Sequence, residues 1–374
     1  MELLRKSSHR WRRLDISHST SRIKTNITEL DITGGLPSLE ELHLKLRCTK
    51  NTDNMEVLEF TADCPKLTRL FLQAELGHPD EFDDEDDDEE DDSDDEDEDE
   101  GLWTLAQDHH IPWHQLTTLV WGLNSSEKEV LDVLSETERL ETLEILPRSI
   151  TVSEGLDPAM YSYTIDPVIL QHLTSLRYEE GYRIIHGLCC PVLERLHMSD
   201  IDGEALSGFL VRSDPPLKTL RMDNFHRDWL SIKSELMPGV LPFLEEFIIG
   251  DSVYQLLEMI NDESMFEIVV PPTRVFTIDT PTAIESIWDD ETWAIGRLVR
   301  LIWPQEGLEA FNIFTRERDY GESILLKLVD RSKEVVNKWP LLRHMNVLRD
   351  EGLKVTVSYS PSIYPDSVSS RDYY

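Results

Sequence analysis

Three groups of residues in this sequence have types that could do chemistry. His109, His110 and His114 are imidazoles of the kind that ligate zinc. Pro112 breaks any helix that would align them, and no Cys or carboxylate stands around them at zinc spacing. His114 therefore reads as a structural or solvent-facing residue. Asp289, Asp290 and Glu291 could pair as acid and base. Flanked by Trp288 and Trp293, they read instead as a charged turn. Cys189 and Cys190 are adjacent, so they are badly placed to bridge each other. Before Pro191 they read as core filler rather than a redox pair. No Gly-rich phosphate loop, Gly-x-Ser-x-Gly or Cys-x-x-Cys occurs. The expectation is a protein with no catalytic residue, no cofactor site and no metal site.

Composition narrows the remaining classes. The 374 residues include 36 Lys+Arg and 74 Asp+Glu, a formal charge of −38. Between Asp80 and Glu100 every residue is acidic except Phe82 and Ser93, which places 19 carboxylates in 21 residues. The other 353 residues carry the remaining −19. So acidic a chain is a poor generic binder of nucleic acid or anionic membrane. It has no apolar run long enough for a transmembrane helix and no signal-peptide-like start. Four cysteines, Cys48, Cys64, Cys189 and Cys190, do not make a disulfide scaffold. They read as reduced thiols of a cytoplasmic or nuclear protein.

The elements that would position a binding site come from a repeated phrase, x-Pro-x-Leu-x-x-Leu-x-apolar. It runs through Leu36–Leu44 and Cys64–Leu72, then returns at His114–Trp121, Arg139–Ile145, Leu173–Tyr178, Pro191–Met198, Pro216–Met222 and Pro242–Ile249. Weaker forms precede it at Trp11–Ile16 and Ile27–Ile32. The central apolar residues fall at 42, 70, 119, 143, 176, 196, 220 and 247. The gaps run from 20 to 33 residues except the one from 70 to 119, which is 49 and holds the acidic run. Spacings of about 20–29 residues with Leu-x-x-Leu-x-Leu mark leucine-rich repeats. The final Leu-x-apolar alternates as a strand with one buried face must. Return limbs are expected to be helical. Ser126-Glu127-Lys128-Glu129 and Ser252-Val253-Tyr254-Gln255 are capping boxes, and Ala205, Leu206, Phe209 and Leu210 share a helix face. The asparagine expected after each strand is mostly missing, Asn124 aside, which predicts a ragged solenoid.

The fold expected is therefore α/β, a single leucine-rich-repeat solenoid over 1–374, an irregular horseshoe with 79–101 as a disordered acidic insertion. The run cannot fold, because its charges repel and it holds one large apolar residue, Phe82. It reads first as a tolerated surface loop, second as an arm for basic partners such as histones. Ser93-Asp94-Asp95-Glu96 inside it resembles an acidophilic kinase site of the casein kinase 2 type, so Ser93 is a candidate for phosphorylation. The stretch from about Pro271 to Gly321, with Trp288, Trp293 and Trp303, reads as degenerate repeats or as a binding end.

Several phrases resemble one family, the fungal (basidiomycete) F-box proteins with degenerate leucine-rich repeats. They are Ser8–Leu14, Ile111–Leu119, Cys190–Leu196, and a C-terminal helix to Arg349 followed by Glu351–Val357. The resemblance is one of layout and short phrases along nearly the whole chain. That family carries an F-box of about 40 residues ahead of the Ser-His-Arg-Trp phrase, and no Leu-Pro-x-Glu is present there. A relative without the module and a truncated gene model both stay open. The resemblance implies a non-catalytic substrate-binding adaptor of a ubiquitin ligase, with a protein substrate and, if an F-box exists upstream, a Skp1-like linker as partners. The alternative is a histone-chaperone-like binder of basic proteins. The partner-binding candidates are strand residues expected to point away from the core: Lys45, Phe71, Val120, Glu144, His197 and Arg221.

Overall fold

The Pro-x-Leu half of each phrase closes a tight turn. In a computed structural model, the Leu39 N–H donates to the Leu36 carbonyl at 2.9 Å, Leu67 to Cys64 at 3.0 Å and Leu193 to Cys190 at 3.2 Å. Pro37, Pro65 and Pro191 thus occupy the second turn position, where a fixed φ is preorganised. In the copy at His114–Trp121 a 3₁₀ turn, Trp113–Gln115, stands in for the proline turn, with Leu116 donating to Trp113 at 3.1 Å. The structure describes residues 8–19, 36–48, 61, 63–76, 111–123, 125–146, 166–178, 184–199, 203–223, 241–250, 273–280, 308–315, 349–350 and 352–359. The acidic insertion 79–101, Ser93, Asn124, His109, His110, the Ser252 box, Asp289–Glu291 and the tryptophans at 288, 293 and 303 lie outside them.

The chain is mixed α/β, with extensive parallel sheet and few helices among the described residues. It divides into two compact units, Met1–Leu193 with Val211–Pro215, and Glu194–Leu210 with Pro216–Tyr374. The first unit pairs β1 (Arg13–Ser19), β2 (Glu41–Cys48), β3 (Arg69–Leu76), β4 (Thr118–Gly122), β5 (Thr142–Ile145) and β7 (Ser175–Tyr178) in that order, all parallel. A two-stranded ribbon of β6 (Val168–Ile169) and β8 (Leu188–Cys189) accompanies them. The second unit pairs β9 (Arg195–Ser199), β10 (Thr219–Asp223), β11 (Glu246–Ile249), β12 (Val275–Thr280), β13 (Ala310–Thr315) and β14 (Lys354–Tyr359), also parallel. Two helices are described, α1 (Glu127–Ser135) and α2 (Gly203–Ser213).

Register is fixed by one recurring hydrogen-bond device. The carbonyl just ahead of each strand accepts two successive N–H groups from the next copy. Arg12 accepts from Glu40 and Glu41 at 2.8 and 2.9 Å, Glu40 from Thr68 and Arg69, and Thr68 from Thr117 and Thr118. In the second unit Lys218 accepts from Glu245 and Glu246, Glu245 from Arg274 and Val275, and Arg274 from Glu309 and Ala310. Each strand therefore starts at the same height as its neighbour. A one-residue slip would turn every buried leucine outward.

Within each unit the central residues of the phrase line up as an inward row. In the first unit it reads Leu14, Leu42, Leu70, Leu119, Leu143, Leu176. In the second it reads Leu196, Leu220, Phe247, Phe276, Phe311, Val355. Leu70 pairs directly with Leu119, so the acidic run falls between neighbouring strands. Burying one such side chain is worth about 1.5–3 kcal/mol. The three phenylalanines form a ladder, with centroids 5.8 Å apart in both the Phe247–Phe276 and Phe276–Phe311 contacts. β12 and β13 lie in the stretch from about Pro271 to Gly321, where the phrase is incomplete: Phe276 and Phe311 take the central place, as Phe247 does, while Thr273 replaces the leucine ahead of Phe276 and Glu306 the proline ahead of Phe311.

Return limbs follow helix rules where they are described. Ser126 Oγ accepts from the Glu129 N–H at 3.3 Å and caps α1, whose Val130, Leu131, Val133 and Leu134 are buried. On α2, Ala205, Leu206, Phe209 and Leu210 are buried, as one amphipathic face requires. Arg212 near its end donates to the carbonyls of Leu188 and Ile185 at 2.8 and 2.7 Å. Cys190 is buried, and that burial pushes its thiol up to about 12. It is therefore a protonated core side chain, poor as a nucleophile.

Candidate binding face

Alternation within each strand sends every second residue to the face opposite the leucine row. Five of the six sequence candidates stand in the corresponding outward row of their own unit. In the first unit it runs Asp15, His43, Phe71, Val120, Glu144, Arg177. In the second it runs His197, Arg221, Ile248, Thr277, Asn312, Thr356. Lys45 stands one outward position further along β2, in register with Gln73.

The first unit keeps this row half open. Phe71 and Val120 are both half-buried register neighbours. One face of Phe71 stacks on His43, with centroids 3.8 Å apart and planes 11° from parallel. Gly122, the next outward residue of β4, has no side chain, and a Cβ there would stand 2.8 Å from Leu146 Cδ1. The Leu146 side chain thus fills the space above Gly122, next to Val120. Beside this apolar centre, Arg177 Nη1 donates to Glu144 Oε1 at 2.8 Å. Burial pushes the Glu144 carboxyl above the usual range, and the nearby Arg177 charge only partly offsets it.

A second ionic group in this unit stands on β1 to β3. Glu41 is buried and takes Arg13 Nη1 at 3.0 Å, Arg69 Nη2 at 2.7 Å and His43 Nε2 at 2.6 Å. Arg13, Glu41 and Arg69 are register partners spaced by the repeat. The sequence reading did not pick them out, although the residue before each central leucine carried the signal.

The second unit closes its row. His197 and Arg221 are 6% and 7% exposed. His197 Nε2 donates to Asp223 Oδ2 at 2.6 Å. Arg221 Nε donates to both Asp223 oxygens, at 3.1 and 3.2 Å, and its Nη1 reaches Asp279 Oδ2 at 2.5 Å. Arg221 is on β10 and Asp279 on β12, so the arm crosses the whole width of β11. It can do so because β11 is followed by Gly250. A Cβ at that position would overlap the Asp223 carboxylate and stand 3.0 Å from Arg221 Nη2.

Burial works against the Arg221 charge, but the two carboxylates outweigh it and hold the guanidinium above its ordinary value. Burial also works against the Asp223 charge. The His197 hydrogen bond and the Arg221 charge overcome it and hold that carboxyl below its ordinary value. Further along, Thr277 Oγ1 donates to Glu246 Oε1 at 3.1 Å and Asn312 Nδ2 to Thr277 Oγ1 at 3.4 Å.

The six candidates therefore separate. Phe71, Val120 and Glu144 are neighbours on three successive strands of an accessible face, and Lys45 flanks them. His197 and Arg221 are outward in register yet buried, and their polar groups hold strands together. Asp223, Gly250 and Asp279 complete that cluster; they share one outward column, three positions after the central apolar residue. Among the described residues no group of three or more His, Cys, Asp or Glu side chains could hold a metal ion. Their helices include none long and apolar enough to cross a membrane. Comparison of the chain with protein-family models gives no match, and comparison with curated protein sequences gives none either.

Proposed function

We propose that this chain is a non-catalytic scaffold for protein recognition, built as an irregular leucine-rich-repeat solenoid of the α/β type. In this reading the parallel strands line the inner face, and a target protein docks on the outward row of the first unit. One observation carries it: Phe71, Val120 and Leu146 make a half-buried apolar centre flanked by the Glu144–Arg177 pair and by Lys45 and Gln73. An apolar, aromatic-bearing centre with a charged rim is the composition of a protein interface. A stack of strands presents such side chains on a rigid support.

The resemblance to F-box proteins extends the proposal to a substrate-binding adaptor of a ubiquitin ligase. The two parts are tested separately. Val120→Asp in the full chain puts a charge at the apolar centre. Recognition by this face predicts that partners captured by the wild-type chain are lost, with thermal stability changed by less than about 1 kcal/mol. An unchanged set of partners rejects the face. For the adaptor role, the chain expressed together with any F-box encoded in frame upstream is expected to bind a Skp1-like linker. Failure to bind rejects the adaptor and leaves the recognition face standing.

A further inference from the structure

We infer that the first unit's outward row is a subsite for a basic, apolar-flanked segment of the partner, with Lys or Arg seated at Glu144 and an apolar side chain on Phe71 and Val120. The inference rests on the recognition reading above.

Three observations converge on it. Glu144 makes one described hydrogen bond, from Arg177 Nη1 to Oε1. Its side chain is 20% exposed, so the carboxylate has lost much of its water while using one acceptor oxygen. The carboxyl rises accordingly, which means that one guanidinium contact does not restore the lost hydration. A donor arriving from solvent at the second oxygen would. A cationic donor is the stronger partner for a half-buried carboxylate.

The second observation is the surface next to that carboxylate. Val120 is its register neighbour on β4, and Phe71 lies one strand further on β3. Adjacent strands are about 4.8 Å apart, so Phe71 and Glu144 are separated by about 10 Å. An extended chain advances about 3.3 Å per residue. The matching segment therefore carries its apolar residue two or three positions from the cation. The methylene stem of Lys or Arg would lie along Val120.

The third is charge. The chain outside the acidic run still carries −19, so the long-range field draws in a cationic partner. Cations already on this face are committed locally: Arg177 to Glu144, and Arg13 and Arg69 to Glu41. Lys45 stands three strands from Glu144 and one outward position away.

The test is selection of random twelve-residue peptides displayed on phage against the immobilised full chain. Clones are then counter-screened on full chains carrying Glu144→Gln or Val120→Asp. All three proteins keep the acidic run, so unspecific binding of cations to it cancels. The expected result is a set of clones retained at least tenfold better by wild type than by Glu144→Gln. Those clones share Lys or Arg two or three positions from an aliphatic or aromatic residue.

Clones that separate the two proteins but carry acidic or uncharged residues there overturn the inference. So does a selection in which no clone separates them. Clones lost on Val120→Asp but kept on Glu144→Gln overturn the cationic subsite and leave the recognition face intact. Loss on neither variant overturns both. Glu144→Asp, which keeps the charge on a shorter stem, serves as a second variant should Glu144→Gln melt early. Carboxyl NMR of Glu144 adds an independent reading: a synthetic consensus peptide should return its titration toward the ordinary range, and no movement on saturation counts against the subsite.

Discussion

The two units use the same backbone device and opposite outward faces. In both, one carbonyl ahead of each strand accepts two N–H groups and sets the register. In both, a glycine stands in the third outward position of a strand or just past it, and a neighbouring side chain fills the gap. At Gly122 the filler is Leu146, and the face stays apolar and half open. At Gly250 the filler is the Asp223 carboxylate, and the face closes into an ionic cluster with His197, Arg221 and Asp279. A missing Cβ is thus a local choice between a half-open apolar face and a fastening. What fills the gap decides which.

The inner rows differ in step with this. The first unit stacks leucines throughout, whereas the second changes to phenylalanine at Phe247, Phe276 and Phe311. The sharpest break of the comparison is Gly250→Ala. The new Cβ overlaps the Asp223 carboxylate, which must leave, and Arg221 and His197 lose their shared partner together. Separating a buried ion pair costs about 3–5 kcal/mol. The loss should be concentrated in the second unit, read as faster amide exchange at Phe247–Ile249. A variant as stable as wild type would show that the cluster contributes nothing.

Acid should discriminate the two faces next. The Asp223 carboxyl is held below its ordinary value in the fold. Its contribution is therefore present above the unfolded carboxylate range and is lost as pH falls through the folded value. Glu144 has the opposite sign. Its carboxyl is raised, so the folded state holds the proton longer, and stability falls as pH rises from the unfolded value to the folded one. Asp223→Asn should cost about 2–4 kcal/mol at neutral pH and remove part of the acid-induced loss below about pH 4. Urea midpoints from pH 3 to 7 test this; an unchanged acid limb would show that Asp223 is not a linked group.

Much of this fold was legible because a parallel repeat writes its register into its spacing. The eight central positions from Leu42 to Phe247 each stand in the inward row of their own unit, as does Leu14. The strands at Phe276 and Phe311 do not show the full phrase, because each lacks more than the central leucine; ahead of Phe311 the proline is Glu306. The preceding inward leucine is also replaced, by Thr273, at one of them. The outward rows were legible as alternation, so Phe71, Val120 and Glu144 share one line in the first unit, and His197 and Arg221 share one in the second. Which of them are accessible was not legible. That depends on partners 26 and 58 residues away, Asp223 for His197 and Asp279 for Arg221, and on an absent side chain at Gly250.

Gly122→Ala tests the milder side of the same comparison. Its Cβ meets the end of a flexible side chain, Leu146 Cδ1, but also the Leu72 carbonyl oxygen at 3.0 Å. Leu146 can rotate away and the backbone cannot. The expected cost is about 1–2 kcal/mol, below that of Gly250→Ala, with Leu146 displaced from above the strand. Equal costs in the two units would mean that backbone crowding, not the identity of the filler, governs both sites.

The smallest effect expected is Glu144→Gln, and its smallness is the point. The amide keeps an acceptor for Arg177 and removes a carboxylate that the fold holds at a cost. Losing the charge–charge attraction with Arg177, a pair whose side chains are 14% and 20% exposed, opposes that gain. The two contributions should nearly cancel, leaving stability within about 0.5 kcal/mol of wild type at neutral pH. The downward slope of stability with pH just above the ordinary Glu range should disappear. If Glu144 fastened the sheet as Asp223 does, this substitution would be destabilising instead. A near-silent Glu144→Gln beside a costly Asp223→Asn would therefore assign the two carboxylates to different work: one fastens strands, the other waits for a donor from outside.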